Sequence, residues 1–363
     1  MKLLELLTEW GATKKLVGCS TPRRNASYYW GYPENVTDKA FTLQKVSPFG
    51  EPEPPTRFLI SRIGSFEDEP IYAGRLARLT GFTATLPDKK EFDSREGAVR
   101  RILSQACASG EVVSVRLLGE EDPETVRVLS YSAEWVEMQL YDNLMRPRGP
   151  VLYRQALIAS ARWRSDYEEA SAYLSDVPQL RSGVLDVKSR LEFWKEVGKP
   201  FGFSPWSDGC STVWGLLTRV SRQSFTVSPI SSIGAIEDLE SFWIRQVGYF
   251  DTADIYAERL TRLRGFRPTL PETYRMNGRS EAISEALEHS IRTGEPIRVK
   301  MRGDSASASA CVRWIDEGWV GLQEYDDLML PWRFAVYPLT MIGAVLWQSA
   351  AVEADAYLLA LIR

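Results

Sequence analysis

Two pairs of arginines are the residues of this chain whose type and spacing best suit the binding of an anion. Arg75 and Arg78 recur, in a similar sequence context, as Arg259 and Arg262. Residues three apart lie close together on one face of a helix. Two guanidinium groups on such a face can hold a phosphate or a carboxylate through paired hydrogen bonds. The alternatives are a solvated helix face and a salt bridge between parts of the chain.

Acid–base catalysis has few candidate residues in this sequence. The one histidine, His289, lies in a segment with helical spacing, and we expect it at the surface or at a helix cap. Asp142 and Asp326 recur after a tyrosine and could act as catalytic carboxylates, but a tight turn explains them more simply. No phosphate-binding glycine loop or nucleophile motif occurs. We therefore expect a protein that is not an enzyme and uses no cofactor.

Charge and cysteine usage argue against several further classes. The chain has 44 Lys and Arg against 48 Asp and Glu, a net charge of −4, whereas general nucleic-acid coat proteins are basic. No apolar run reaches the roughly 20 residues of a membrane span. The four cysteines stand apart with no C-x-x-C motif, so we expect no zinc site and a reducing, cytoplasmic setting.

The elements that position these residues arise from an internal duplication. Shifted by 184 residues, the chain aligns with itself without a gap, and 55 of 179 positions are identical. The segment Ile71–Leu79 returns as Ile255–Leu263, and Tyr141–Met145 returns as Tyr325–Met329. Eight of the 12 tryptophans form aligned pairs, which predicts that they belong to the core: Trp10/Trp194, Trp30/Trp214, Trp135/Trp319 and Trp163/Trp347.

A weaker repeat within each half, at a shift of about 95 residues, divides the chain into four related modules. Their predicted ranges are 1–80, 94–177, 185–264 and 278–363, so that the third module repeats the first and the fourth repeats the second. In the second module, Ser94–Ser109 has helical spacing and ends before Gly110, and about five strands and a closing helix follow. The predicted fold class is α+β and β-rich, with each module a small, strongly bent barrel.

This order of elements resembles the Sm-like barrels, and in particular the WYL domains. Trp135-Val136-Glu137 stands where that family has Trp-Tyr-Leu, and Tyr153–Ile158 and Phe58–Ile63 stand at the place of its Phe-Arg-x-Asp-Arg-Ile strand. Arg154 matches the first arginine of that motif and Arg62 matches the second. The resemblance implies Sm-like modules and nucleic-acid or nucleotide binding, with Arg154 and Arg62 among the residues that would contact the ligand.

Four tryptophans occur in only one copy of the duplication, which marks them as candidate contact residues. Tryptophan is enriched at the energetic centres of protein interfaces. The alternative is packing specific to one copy. These interface candidates are Trp206, Trp243, Trp314 and Trp332, and their counterparts are Pro22, Leu59, Ser130 and Arg148.

These observations together predict a non-enzymatic binding or adaptor protein that recognises a protein partner or a small ligand. A role in bacterial defence or immunity is one context in which such a binder would act. The alternative is a nucleic-acid- or nucleotide-binding regulator of the WYL or Sm-like type, which the charge disfavours. Because duplication can replace a homodimer, we expect either a monomer with an internal pseudo-dimer or a homodimer.

Overall fold

The computed structural model describes residues 3–21, 28–89, 91–120, 122–142, 145–175, 186–205, 212–251, 255–271, 276–304 and 306–362. One order of elements occurs four times along the chain: a helix, four strands, a one-turn 3₁₀ helix, a fifth strand and a closing helix. We number these occurrences as the first to fourth modules; they span residues 3–79, 96–174, 187–262 and 280–362. None of the helices in the described part of the chain combines the length and the apolar character that crossing a membrane requires.

The first and third modules share the same element pattern. The first consists of α1 (Leu3–Ala12), β1 (Val17–Ser20), β2 (Tyr28–Glu34), β3 (Ala40–Val46), β4 (Thr56–Leu59), a 3₁₀ turn (Ile60–Arg62), β5 (Ser65–Asp68) and α2 (Pro70–Leu79). The third, counted in chain order, consists of α5 (Val187–Val197), β11 (Phe201–Pro205), β12 (Val213–Val220), β13 (Ser224–Pro229), β14 (Glu240–Trp243), a 3₁₀ turn (Ile244–Gln246), β15 (Val247–Asp251) and α6 (Ile255–Arg262).

The second and fourth modules have longer central strands. The second consists of α3 (Glu96–Ser109), β6 (Val112–Leu117), β7 (Glu124–Tyr131), β8 (Trp135–Tyr141), β9 (Pro147–Arg154), a 3₁₀ turn (Gln155–Leu157), β10 (Ile158–Trp163) and α4 (Asp166–Leu174). The fourth consists of α7 (Ser280–Thr293), β16 (Ile297–Met301), β17 (Ala308–Asp316), β18 (Trp319–Tyr325), β19 (Pro331–Pro338), a 3₁₀ turn (Leu339–Met341), β20 (Ile342–Leu346) and α8 (Ala350–Ile362).

The prediction that each module closes into a small barrel is wrong. The strands form two ten-stranded antiparallel sheets, one with the order β20-β16-β17-β18-β19-β5-β1-β2-β3-β4 and one with the order β10-β6-β7-β8-β9-β15-β11-β12-β13-β14. Within each module the strand order is therefore fifth, first, second, third, fourth. To close a barrel, the fourth strand of a module would have to pair with the fifth strand of the same module. Instead, β9 pairs with β15 and β19 pairs with β5, each the fifth strand of another module.

The compact units of the molecule do not coincide with the two halves of the duplication. The first and fourth modules form one unit, Met1–Gly81 with Arg267–Arg363, which we call the terminal unit. The second and third modules form the central unit, Phe82–Phe266. Each half of the duplication thus contributes one module to each unit. The seams between modules have equivalent registers, with Ala335 opposite Glu67 in the terminal unit and Val151 opposite Asp251 in the central unit.

Each module has an apolar core built mainly from the helix that opens it and the inner face of its strands. The core of the first module also includes Trp314 and Val336 of the fourth, and the core of the third includes Trp135 and Leu152 of the second. In α3 the buried residues recur at helical spacing, and Gly110 ends the helix in the left-handed conformation, with φ of 69°.

The prediction that the paired tryptophans belong to the core is confirmed for seven of the eight. Trp10, Trp30, Trp135 and Trp194 are buried, and Trp163, Trp319 and Trp347 pack against the cores from partly buried positions. Trp214 is partly buried outside these core clusters, beside Tyr256.

Candidate functional site

The two arginine pairs do not form exposed cationic faces. In α2, Arg75 is 3% exposed whereas Arg78 is exposed to solvent, so the two side chains meet different environments. In α6, Arg259 is likewise 3% exposed, and Arg262 binds Glu258 one turn earlier on the same helix at 2.6 Å. The structure therefore favours a role within the protein for the first member of each pair.

The candidate catalytic residues Asp142, Asp326 and His289 make hydrogen bonds within their own turn or at their own helix end. The Asp326 carboxylate accepts hydrogen bonds from the backbone N–H groups of Leu328 and Leu330, at 3.0 and 2.9 Å, and Asp142 accepts one from Arg146. The turn interpretation of these aspartates is confirmed. His289 is partly buried, and its Nε2 lies 2.8 Å from Glu295 Oε2 just beyond the helix end.

The four unpaired tryptophans divide by burial. Trp314 is buried against Gly321 in the terminal unit, where a Cβ on the glycine would overlap the indole ring. Trp332 is partly buried beneath the Arg333 guanidinium. Trp243 is 46% exposed, and Trp206 lies outside the described residues. Trp243 therefore has the surroundings that a contact residue needs, whereas Trp314 serves packing specific to its copy.

Trp243 borders a cleft of about 380 Å³ in the central unit, where the second and third modules meet. The cleft lies at the ends of β8 and β9 on one side, and at the β12–β13 turn and the 3₁₀ turn after β14 on the other. Its lining combines cationic and aromatic side chains: Glu134, Trp135, Arg154, Arg222, Gln223, Trp243, Ile244 and Arg245. Two of the predicted site residues, Arg154 and Trp243, meet here.

Arg154 is held rigidly at the base of this cleft. Its Nε donates a hydrogen bond to the Val247 carbonyl at 2.7 Å, and its terminal nitrogens approach the Ile244 carbonyl at 3.2 Å and Glu134 at 3.4 Å. The guanidinium also lies 4.5 Å from the ring centre of Trp135, the residue opposite it on β8. Because these contacts fix the side chain before any ligand arrives, its positive charge is preorganised.

Arg222 and Arg245 supply the exposed charge of the cleft. Arg222 lies at the tip of the tight β12–β13 turn, where Ser221 and Ser224 are hydrogen-bonded. Arg245 lies in the 3₁₀ turn, and its guanidinium is 5.5 Å from the ring centre of Trp243. Neither arginine forms an ion pair with any residue that the structure describes. Both guanidinium groups therefore keep their hydrogen-bond donors available to a ligand.

The cleft continues past Arg222 toward the beginning of α5. A second, more open cavity of about 390 Å³ shares Trp135 and Arg222 with the first and reaches Asp186 and Lys188. The end of the groove at α5 is balanced in charge, because Asp186 caps the helix by accepting hydrogen bonds from backbone N–H groups and Lys188 pairs with Glu192. Positive charge is therefore concentrated at the Trp243 end.

The equivalent positions of the terminal unit lack this character. At a shift of 184 residues, Arg222 corresponds to Asp38, Arg245 to Ser61, and Arg154 to Pro338. The exposed indole of Trp243 corresponds to Leu59, while Trp135 is retained as Trp319. All three arginines and the exposed tryptophan thus belong to the central unit alone.

Sequence reasoning identified Arg154 and Trp243 but missed Arg222 and Arg245, because no local motif marks either arginine. The signal that was available is the comparison of the two copies, in which an aspartate and a serine change to arginine. Arg62, the other arginine of the WYL-like motif, is exposed at the end of the first 3₁₀ turn, and its counterpart Gln246 does not line the cleft.

The arrangement suits the binding of an anion more than metal or proton chemistry. Within the described ranges, no three side chains among His, Cys, Asp and Glu gather as a set of metal ligands. Cys19, Cys107 and Cys311 form no disulfide with any described residue, and burial raises the pKa of Cys19 to about 12, which keeps that thiol protonated at neutral pH. Guanidinium groups are permanently charged donors, so they bind and orient anions rather than transfer protons.

Comparison of the chain with protein-family models and with curated proteins finds no match to either.

Proposed function

We propose that this chain is a non-enzymatic binding protein whose central-unit cleft binds a small anionic ligand that carries a planar ring. Arg222 and Arg245 would pair with its phosphate or carboxylate, and the exposed face of Trp243 would stack on its ring. The preorganised Arg154 adds a fixed positive field at the base of the cleft. The observation that carries the proposal is the presence of these residues in one unit and their replacement in the other.

The four modules are, on this proposal, relatives of the Sm-like fold that have joined in pairs. The support is the element order repeated four times, with a 3₁₀ turn between the fourth and fifth strands each time, and the strand order within each module. The proposal assigns the chain no cofactor. We further propose that binding at the cleft serves as a recognition step, as an adaptor or sensor would need.

The proposal is tested by exchanging cleft residues for those of the terminal unit. The double variant Arg222→Asp, Arg245→Ser should bind a nucleoside monophosphate at least about 100-fold more weakly than the parent chain, because each arginine supplies a charge-assisted hydrogen bond of about 1.5–3 kcal/mol. Isothermal titration calorimetry with AMP, adenosine and inorganic phosphate would separate the contribution of the ring from that of the anion. The matched control is Lys39→Gln in the terminal unit, which introduces the residue of the other copy and should leave binding unchanged.

Absence of binding by AMP, by aromatic carboxylates and by phosphate would overturn the proposed ligand class. Equal binding by the parent and by the double variant would place the ligand elsewhere on the chain.

The second candidate function, a nucleic-acid-binding regulator, is favoured by one observation. The first cavity, of about 380 Å³, adjoins the second, of about 390 Å³, at Trp135 and Arg222, and two adjoining cavities suit a ligand of more than one unit. If an oligonucleotide is the natural ligand, affinity for single-stranded RNA or DNA should rise with length beyond one nucleotide and fall steeply with salt. Equal affinity for AMP and for a short oligonucleotide would instead favour the small ligand.

A further inference from the structure

The outer edges of the two sheets are protected unequally. Two outer edges are formed by the fifth strands β10 and β20. The segment before α3 covers β10, and the segment before α7 covers β20. Asp93 exchanges two backbone hydrogen bonds with Ala161, at 2.9 and 3.0 Å, and Asn277 exchanges two with Val345, at 2.7 and 2.9 Å. Such covering segments prevent another strand from pairing at those edges.

The remaining edges are the fourth strands β4 and β14, and they differ in sequence. Two prolines, Pro54 and Pro55, precede β4, and proline disfavours strand pairing because it has no backbone N–H. The corresponding residues before β14 are Asp238 and Leu239, which can both pair. Among the described residues, β14 is therefore the sheet edge that is neither covered nor preceded by a proline pair.

The β14 edge also exposes apolar side chains. Ile236 is 55% exposed, Leu239 is 64% exposed and Trp243 ends the strand at 46%. Exposed edge strands with apolar side chains are unusual in proteins that have no partner there, because they invite pairing with other chains. The edge thus has both the backbone groups and the apolar contacts that strand addition requires.

The charge of this edge identifies the kind of strand that it accepts. Glu237, Asp238 and Glu240 surround Leu239, and none of the three forms an ion pair with a described residue. β14 itself covers Glu240–Trp243 and ends at the 3₁₀ turn, and Ile236 forms an isolated bridge with Ile230. A pairing partner would therefore lie along β14 and the segment 236–239 before it. A second copy of this chain paired antiparallel over that segment would bring three carboxylates from each copy around the shared axis, which is repulsive.

We propose that the β14 edge binds an extended, basic segment of a partner protein by strand addition. Because successive side chains of a strand point to opposite faces, Asp238 and Glu240 lie on one face of a paired segment and Leu239 on the other. The incoming strand would alternate lysine or arginine with apolar residues, placing its cations against Asp238 and Glu240 and its apolar side chains over Leu239. This surface adjoins the anion cleft at Trp243, which ends β14 and lines the cleft, whereas Asp238, Leu239 and Glu240 do not line it.

The test uses the full chain and a labelled ten-residue peptide of alternating lysine and valine. Fluorescence anisotropy should show binding of this peptide and at least tenfold weaker binding of a glutamate–valine peptide. A lysine–valine peptide with N-methyl groups at alternate residues keeps its charge but loses one row of backbone donors. It too should bind at least tenfold more weakly. Hydrogen exchange of the β14 amides should slow when the unmodified peptide is bound.

Two variants assign the binding to this edge. Asp238→Pro with Leu239→Pro introduces the proline pair of the terminal unit and should weaken peptide binding at least tenfold while AMP binding is unchanged. The triple variant Glu237→Lys, Asp238→Lys, Glu240→Lys should reverse the preference toward the glutamate–valine peptide, which keeps the test decisive if the prolines disturb the fold.

Equal binding of the methylated and unmodified peptides would overturn the proposal, because attraction to a charged surface would then explain the result. No binding of the basic peptide would also overturn it. So would a dimer in sedimentation equilibrium that the proline variant dissociates, because the occupant would then be a second copy.

Discussion

The central and terminal units have the same strand order and the same seam register, yet they place their charged residues in different environments. In the central unit, Arg222 and Arg245 are exposed at the rim of a cleft. In the terminal unit, Arg333 is mostly enclosed at the seam, where it binds Glu324 at 2.7 Å and also binds Glu67. The comparison shows that the same duplicated fold can carry arginines that are exposed at a cleft or an arginine that is enclosed and joins two modules.

The seam network of the terminal unit has no equivalent in the central unit. Arg333 corresponds to Gly149 and Glu324 to Leu140, while Glu67 corresponds to Asp251. Tyr337 completes the network by donating a hydrogen bond from its hydroxyl to Glu324 at 2.9 Å. One guanidinium thus lies between two buried carboxylates, and its removal would leave both without their cation.

Replacement of Arg333 by the glycine of the central unit should have the largest effect. We expect Arg333→Gly to lower the free energy of unfolding of the terminal unit by about 3–5 kcal/mol, because buried carboxylates lose their counter-charge. The double variant Glu324→Leu, Arg333→Gly should recover part of this loss, since it reproduces the central unit at both positions. Urea denaturation followed by hydrogen exchange of the β5 and β19 amides would assign the change, and equal losses in both variants would contradict the comparison.

The second-largest expected difference between the units is in how their stability depends on pH. Burial raises the pKa of Glu67 from its ordinary value near 4.5 to about 7, although Arg333 partly offsets the effect. Between about pH 4.5 and 7 the folded state therefore keeps a proton that the unfolded chain loses, so the stability of the terminal unit falls as pH rises through this window. The fall should reach at most about 3.5 kcal/mol, at about 1.4 kcal/mol for each pKa unit. Glu67→Gln should remove most of the slope, and the remainder would come from Glu69, whose pKa burial also raises. An undiminished slope in this variant would assign it to other groups.

A third difference between the units is the side-chain contact between the second and third strands of one module. These strands are β17 and β18 in the terminal unit and β7 and β8 in the central unit. The terminal unit packs Trp314 over Gly321, whereas the central unit has Ser130 donating to Glu137 at 2.8 Å, with Arg190 also bound to Glu137. Gly321→Ala should destabilise the chain by about 2 kcal/mol through overpacking, and should cost at least 1 kcal/mol less when Trp314 is already serine. A double-mutant cycle by thermal or urea unfolding would measure this coupling, and simple additivity would show that the pair does not act together.

Local patterns predicted most elements of the second module, but not how the modules pair. The helix predicted over Ser94–Ser109 is α3 (Glu96–Ser109), which ends before Gly110, and five strands and a closing helix follow it as predicted. Periodicity identifies such elements because it depends on near neighbours. The partner of the outer edge of β9 is chosen by contacts far along the chain, so the pattern within one module could not show that β15 lies there.

The cleft was harder to predict for a similar reason. Its arginines come from a strand end, a hairpin tip and a 3₁₀ turn, separated by as many as 91 residues between Arg154 and Arg245. No spacing rule connects residues that meet only after the two modules pair. The duplication supplies the missing signal, because positions that are neutral or acidic in one copy and basic in the other stand out once the copies are aligned.

The smallest expected effect tests whether the exposed ring of the central unit contributes separately from its charge. Trp243→Leu should weaken binding of AMP about three- to tenfold, or about 1 kcal/mol, since a stacking contact is lost, while affinity for inorganic phosphate stays the same. The reciprocal change Leu59→Trp in the terminal unit should leave both affinities unchanged, because Asp38 and Ser61 supply no cation beside the new ring. Calorimetric titration of both variants measures this difference. Weaker phosphate binding in Trp243→Leu would mean that the indole acts by holding Arg245 in place, and the two units would then differ in charge alone.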